Sequence, residues 1–255
     1  MTDQPCSAPS APRFLDLERG YLRNPSWGHP LTHIIHELRA TMADLVADLD
    51  IASDATVVDY GCADLKYRDL FSDHVNYVSA DLPGNPEASI EIRPDGTLPL
   101  PDASADAVFS SQVLEHVADP ALYLSECLRV LRPAGKLLLS THGIMVYHRD
   151  PVDYWRWTAE GLQRIVSQAG FRIARFEGVM GLAATGLQLF QDATYHRVPR
   201  LLRRTYLAVM QTLVALFDRQ SRGSRAENAL VFALIAVKPS AEHDKKPAGQ
   251  GRRQP

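Results

Sequence analysis

Between Leu31 and Leu49 the apolar residues Ile34, Ile35, Leu38, Met42, Leu45, Val46 and Leu49 recur at intervals of three and four, the spacing that gives a helix one apolar face. This predicts an amphipathic helix ahead of the first strand. Thr56–Tyr60 is a short β-branched run that stops at Gly61. A helix-compatible stretch continues to Phe71, and a second strand, Tyr77–Ala80, ends at Asp81. The alternation goes on with strands at Ala107–Phe109, Gly135–Ser140 and Phe171–Phe176, and with helices at Pro120–Leu131 and Thr158–Ala169. Strand and helix in turn point to an α/β fold, doubly wound, with a parallel sheet covered by helices on both faces and right-handed crossovers. Two helical stretches follow, Leu182–Tyr195 and Pro199–Gln220, and only then a last strand, Asn228–Val237.

The chain has 255 residues, 45% of them hydrophobic and 22% charged, a composition that supports a packed core and excludes a fibrous or disordered class. Residues 1–30 read as an N-terminal extension, partly disordered at the Pro5, Pro9 and Pro12 end. Residues 31–238 read as the folded domain, with a helical insertion at about 182–225 and a polar, disordered tail at 239–255. Cys6, Cys62 and Cys127 have neither disulfide-framework nor metal spacing, so no metal site is expected and a reducing, cytoplasmic setting fits. The N-terminus lacks the basic and apolar regions of a secretory signal.

The net charge of -3 hides an asymmetry. Seven arginines (197, 200, 203, 204, 219, 222 and 225) face one acid, Asp218, between Tyr195 and Arg225. The same stretch carries an apolar set, Leu201, Leu202, Met210, Leu213, Val214 and Phe217. It reads as a helical pair packed on the core with a solvated basic edge, as a peripheral membrane contact through 199–222, as a substrate lid, or as a homodimer surface. Nucleic acid is not an expected partner, because no recognition motif accompanies the charge.

In an open α/β sheet the ligand sits beyond the carboxyl ends of the strands, so the loop after the first strand is the place to look. It reads Asp59-Tyr60-Gly61-Cys62-Ala63-Asp64. Gly61 allows close backbone approach to a ligand. Asp81 ends the next strand, 22 residues after Asp59, where an acid can accept both hydroxyls of a ribose. The G-x-G-x-x-G pattern that seats a dinucleotide pyrophosphate is absent, since Ala63 and Lys66 occupy the later glycine positions. That argues against a nicotinamide oxidoreductase.

These residues carry a resemblance. Val57–Asp64 resembles the first motif of class I S-adenosylmethionine-dependent methyltransferases, and Asp81 matches their ribose acid. Asp95–Asp102, Ala105–Val108, Gln112–Val117 and Leu128–Gly135 resemble, in order, the later motifs of the type 11 branch. The resemblance implies a Rossmann-like seven-stranded sheet with the last strand antiparallel, and S-adenosyl-L-methionine as cofactor. It implies cofactor contacts from Asp59, Gly61, Cys62 and Ala63, from Asp81 and Leu82, from Asp95 and Gly96 beside the adenine, and from Gln112. Ala63 stands where the family has a second glycine. His148–Thr158 is similar to a segment of type 11 enzymes associated with sugar, polysaccharide and secondary-metabolite pathways; the expected acceptor is oxygen on a small molecule or glycoconjugate, with nitrogen and carbon open. Its Tyr and Trp faces are expected to shield a sulfonium, and Thr158 to cap the next helix.

Methyl transfer from a sulfonium is an in-line displacement, for which the protein supplies positioning and, for a hydroxyl acceptor, a base. His148 is the first candidate base, with His116 and Asp153 behind it. Each has a structural alternative: loop orientation for His148, local hydrogen bonding for His116, and a buried cluster with Tyr154, Arg156 and Trp157 for Asp153. The competing functional class is a cofactor-binding module without turnover.

Overall fold

In the computed structural model, residue 25 and residues 28–147, 152–219 and 225–240 are described. Seven strands form one sheet: β1 (Thr56–Tyr60), β2 (Asn76–Asp81), β3 (Ile90–Glu91), β4 (Ala105–Ser111), β5 (Leu131–His142), β6 (Arg172–Gly181) and β7 (Ala229–Val237). Their order is β3-β2-β1-β4-β5-β7-β6, with β7 antiparallel to both neighbours and the other pairs parallel. The helices are α1 (Thr32–Ala47), α2 (Pro120–Val130), α3 (Ala159–Gln168), α4 (Leu182–Thr194) and α5 (Arg203–Phe217).

Adjacent strand residues point to opposite faces, and the two cores divide accordingly. Val58, Val108, Leu137 and Leu139 pack with Leu124 and Val130 of α2 and Leu162 and Val166 of α3. Val57, Ala107, Phe109 and Leu138 pack on the other face, with Leu38, Met42 and Leu45 of α1, Ala184 of α4 and Val214 of α5. Burial on both faces explains why β7 reads as an unbroken apolar run, and why Leu137–Leu139 of β5 are apolar in succession.

Local signals set the helix starts. Asp119 accepts from the backbone N–H groups of Ala121 and Leu122, both at 3.0 Å, with Pro120 opening α2. Thr158 caps α3 through the N–H of Gly161 at 3.1 Å, as expected. The stretch after β1 departs from the expected helix: it is a series of turns ending in one 3-10 turn, Arg68–Leu70. Ala63 and Leu65 take positive φ of 48° and 56°, which an α-helix does not tolerate. The two-residue β3 was not anticipated, because so short a strand leaves no periodicity to read. The second insertion helix is shorter than expected, with a 3-10 turn, Arg200–Leu202, ahead of α5.

The helices between β6 and β7 are tied to α1 by buried polar groups. Gln188, Gln191 and Gln211, all fully buried, donate to the carbonyl of Pro30 at 3.0, 2.8 and 2.9 Å. Asp218 accepts from Gly181 N–H at 2.8 Å and lies 2.8 Å from His33 Nε2. The guanidinium of Arg225 lies 3.3 Å from Asp218 and 3.2 Å from Glu37, supplying the positive charge among these groups.

The backbone of residue 225 also closes tightly on β6. A Cβ added at Gly178 would lie 2.1 Å from the Arg225 carbonyl oxygen, whereas one at Gly186 in α4 would meet nothing within 4 Å. Gly178→Ala is expected to cost about 1–3 kcal/mol through overpacking, read as a lower thermal midpoint. Gly186→Ala is expected to raise the midpoint, because alanine favours the helix by about 1 kcal/mol.

Candidate active site

The strand order reverses at β1, with β2 and β3 on one side and β4 and β5 on the other, and a crevice opens beyond the carboxyl ends. It holds a cavity of about 560 Å³, within the range of small-molecule sites. Residues 59–64, 81 and 82 line one part, and Ile92, Pro94, Asp95 and Gly96 an edge. Gln112, Val113, His116 and His142 line the side of β4 and β5, with Leu31, Ile34, Ile35 and Leu38 across from the strands.

The loop after β1 is bound to the end of β2. Gly61 N–H and Cys62 N–H both donate to the Ala80 carbonyl, at 2.8 and 3.1 Å. Asp81 completes the link: Oδ2 accepts from Ala63 N–H at 2.8 Å and from the Asn85 amide at 2.7 Å, and Oδ1 accepts from Leu82 N–H at 2.7 Å. Asn85 also donates to the Ala63 carbonyl at 2.8 Å, so it fixes both partners. Gly61 has φ +91°, and an added Cβ would lie 2.5 Å from Val113 Cγ2, so both conformation and space require glycine. Ala63, also at positive φ, presents its backbone to the same link.

Asp59 is buried and lines the cavity, and its Oδ2 accepts from the Tyr77 hydroxyl at 2.7 Å. Burial raises its carboxyl to about 7; the Tyr77 hydrogen bond opposes that rise and the Asp81 charge adds to it. Burial also pushes the Cys62 thiol up. At the cavity edge, Tyr60 donates from its hydroxyl to the Gly96 carbonyl and stacks on Tyr123 with ring centroids 4.3 Å apart. Asp95 accepts from the Thr97 N–H at 3.0 Å and from its hydroxyl at 2.7 Å, and these bonds hold its carboxyl below the usual range. Leu82 is half exposed beside this loop. Gln112, at φ +58°, donates through its N–H to the Ser140 carbonyl and through its amide to Ser140 Oγ, at 2.9 and 3.0 Å.

The sites expected from sequence around β1, β2 and β4 thus meet in one cavity. Of the expected bases, His116 joins them there. His148 lies outside the described residues. Asp153 does not line the cavity: both its oxygens bind Arg156, each at 2.5 Å, and its side chain is 1% exposed. That geometry suits a strut, with Arg156 also donating to the carbonyls of Met145 and Val146. Tyr154, Trp155 and Trp157 are likewise absent from the cavity wall, contrary to the expected aromatic shield. Their segment is laced down instead, with Tyr154 N–H donating to the Glu115 carbonyl at 2.8 Å and Trp155 Nε1 to the Val117 carbonyl at 2.7 Å.

His116 does line the cavity. Its Nδ1 lies 2.6 Å from the Val152 carbonyl, which can only accept, so Nδ1 carries hydrogen and Nε2 is the basic nitrogen. Glu115, buried below, places Oε1 3.3 Å from His142 Nε2 and 3.9 Å from His116 Nε2, while Thr141 donates to Oε2 at 2.8 Å. Burial pushes the Glu115 carboxyl up. The sequence places His142 only as a strand-end residue beside the pocket, and Glu115, Asn85 and the wall from α1 are not among the expected site residues.

A family profile described as a methyltransferase domain matches residues 51–139, which contain β1 to β4, α2 and the loops of this cavity. The chain belongs to the type 11 branch of the class I S-adenosylmethionine-dependent methyltransferases. Among relatives of this chain, a Mycolicibacterium smegmatis protein named a probable S-adenosylmethionine-dependent methyltransferase is 42% identical over 88 residues, 32% of this chain and 34% of its own. A malonyl-[acyl-carrier protein] O-methyltransferase of Methylococcus capsulatus is 31% identical over 195 residues, 75% of this chain and 66% of its own. The alignments with the first relatives span about a third of those proteins' length. In fold, the chain matches a phosphoethanolamine N-methyltransferase of Haemonchus contortus with TM-score 0.50 and 15% identity, over 79% of this chain and 53% of that one.

S-adenosylmethionine is the cofactor of this methyltransferase family, and the cavity suits it. It carries a glycine cradle that a Cβ would fill, a carboxylate at the end of β2, and a second, buried carboxylate at Asp59 whose ionised form a ligand ammonium would favour. Without that ammonium, the raised Asp59 stabilises the fold in its neutral form. This contribution is complete below the ordinary carboxylate range and is lost as pH rises through about 7. The thermal midpoint of ligand-free Asp59→Asn is therefore expected to rise relative to the wild type between pH 5 and pH 8. A constant difference would show that Asp59 is not desolvated.

Proposed function

We propose that this chain catalyses methyl transfer from S-adenosylmethionine to a hydroxyl of a small-molecule or glycoconjugate acceptor. The observation that carries this reading is the meeting, in one cavity, of the Asp59–Gly61–Asp81 cradle with His116. The cofactor, when bound, supplies a methyl carbon activated by a sulfonium. Asp81, with an oxygen already oriented by Leu82 N–H, would hold the ribose hydroxyls. Asp59 would face the ammonium, and the backbone of Gly61 to Ala63 the rest of the methionine portion. Leu82 and the loop at Asp95 and Gly96 would border the adenine.

The acceptor side follows from what remains of the cavity. Leu31, Ile34, Ile35, Leu38 and Met145 provide apolar walls that exclude water. His116 would take the hydroxyl proton on Nε2, with its ring held through Nδ1 by the Val152 carbonyl. Glu115 would favour the imidazolium that results, from 3.9 Å. Asp153 and Arg156 hold the segment that carries Val152, so they act on the base through the backbone. The O-methyltransferase named among the relatives supports oxygen as the acceptor, and the neutral, apolar wall is compatible with it.

Titration calorimetry with S-adenosylhomocysteine tests the cofactor half. Asp81→Ala is expected to weaken binding by about 1.5–3 kcal/mol through lost charge-assisted hydrogen bonds; unchanged affinity would remove the ribose assignment. A turnover screen over hydroxylated acceptors tests the rest. His116→Ala is expected to lower kcat by about 100-fold or more with cofactor affinity intact. Tight cofactor binding by the wild type without turnover on any acceptor would instead mark a binding module.

A further inference from the structure

The connection between α4 and α5 takes no part in the cavity, yet it is the most unusual surface of the chain. From Ala193 to Phe217 there is no acidic residue, while Arg197, Arg200, Arg203 and Arg204 fall within eight positions. Arg197, Arg200 and Arg204 are exposed. Between them stand Leu201, 92% exposed, and Leu202, 54% exposed. Large apolar side chains at that exposure, ringed by cations, lose contact with water only against a partner.

The turn that carries them is braced. Leu202 N–H donates to the Pro199 carbonyl at 2.9 Å, and Val198 N–H to the Tyr195 carbonyl at 3.2 Å. Arg203 donates to the Val198 carbonyl at 3.0 Å and lies 5.2 Å from the Tyr195 ring centroid. Thr194 Oγ1 and the Tyr206 hydroxyl meet at 2.5 Å across the two helices. The two leucines are therefore held out by a structured turn and do not fold back onto α5, whose inner face is already filled by Leu207, Met210 and Val214.

We propose that this turn docks on an anionic lipid surface, with Leu201 and Leu202 entering the headgroup and acyl boundary and the arginines binding lipid phosphates. Charge selects this occupant. A second copy meeting the same patch about a two-fold axis would set arginines against arginines with no acid between them. A nucleic acid would match the cations and leave the leucines exposed. A lipid interface accommodates both, because it offers phosphate oxygens directly above an apolar layer. No described helix is long and apolar enough to cross a membrane, so the contact is with its surface. The proposal does not depend on the methyl-transfer reading, and its test does not measure turnover.

The test is co-sedimentation of the full chain with phosphatidylcholine vesicles, with and without phosphatidylglycerol. Binding is expected only with the anionic lipid and is expected to fall as salt rises. Arg200→Glu with Arg204→Glu should lower the partition coefficient by about 30-fold or more, and Leu201→Ser with Leu202→Ser by about tenfold or more. Both pairs lie on exposed positions, so S-adenosylhomocysteine affinity and thermal midpoint should stay at wild-type values. A wild type that ignores phosphatidylglycerol vesicles overturns the proposal. So does a leucine pair that binds them as well as the wild type, since charge alone would then explain the association. Tight binding of a DNA or RNA duplex without vesicle binding, or self-association that the leucine pair abolishes without vesicle binding, also overturns it.

Discussion

One carboxylate holds the site open. The loop leaving β1 must turn sharply enough to expose its backbone to the crevice, yet remain attached to the neighbouring strand. Asp81 meets both demands by accepting from Ala63 N–H on one strand-end loop and from Leu82 N–H on the other. Asn85 then fastens the same oxygen and the Ala63 carbonyl. The arrangement needs positive φ at Gly61 and at Ala63, a conformation that alanine adopts at some cost and that a network of part-buried hydrogen bonds can impose. The alanine in place of a second glycine is thus compatible with the cradle, because the strain is borne locally by partners that Asp81 assembles.

Much of this was legible along the chain, for a physical reason. Strands buried on both faces announce themselves as apolar runs: β7 does so along its whole length, and β1, β4 and β5 do so through Val57–Val58, Ala107–Phe109 and Leu137–Leu139. The carboxylates at 59 and 81 could be placed because a strand end fixes where its last side chain sits in an open sheet. What could not be read was anything that depends on a partner distant in sequence. Asp153 is a nearer case: a buried cluster with Arg156, three residues on, is one of the two readings the chain offers, and both its oxygens bind that arginine. His142 looks like an ordinary strand end until Glu115, 27 residues earlier in the chain, is found 3.3 Å away. The helix expected after β1 failed for a related reason. Its composition permits a helix, but the bonds to Ala80 and Asp81 commit the backbone elsewhere.

The wall contributed by α1 depends on the same kind of distant constraint. Leu31, Ile34, Ile35 and Leu38 face the cavity because the start of the helix is held from behind, where three buried glutamine amides converge on the Pro30 carbonyl. Gln211 also donates to Gln188 and Gln191, at 3.0 and 2.7 Å, so α4 and α5 are joined to each other and to α1 through one cluster. Apolar burial is non-directional and by itself allows small shifts of α1 along the sheet. A cluster of directional bonds on one carbonyl does not, because a shift leaves buried amides without partners. The helices inserted before β7 therefore set the position of the apolar cavity wall without touching the cavity through their basic turn. That separation lets a single insertion serve two surfaces: its glutamine side registers α1 over the crevice, and its arginine side is left to meet whatever lies outside.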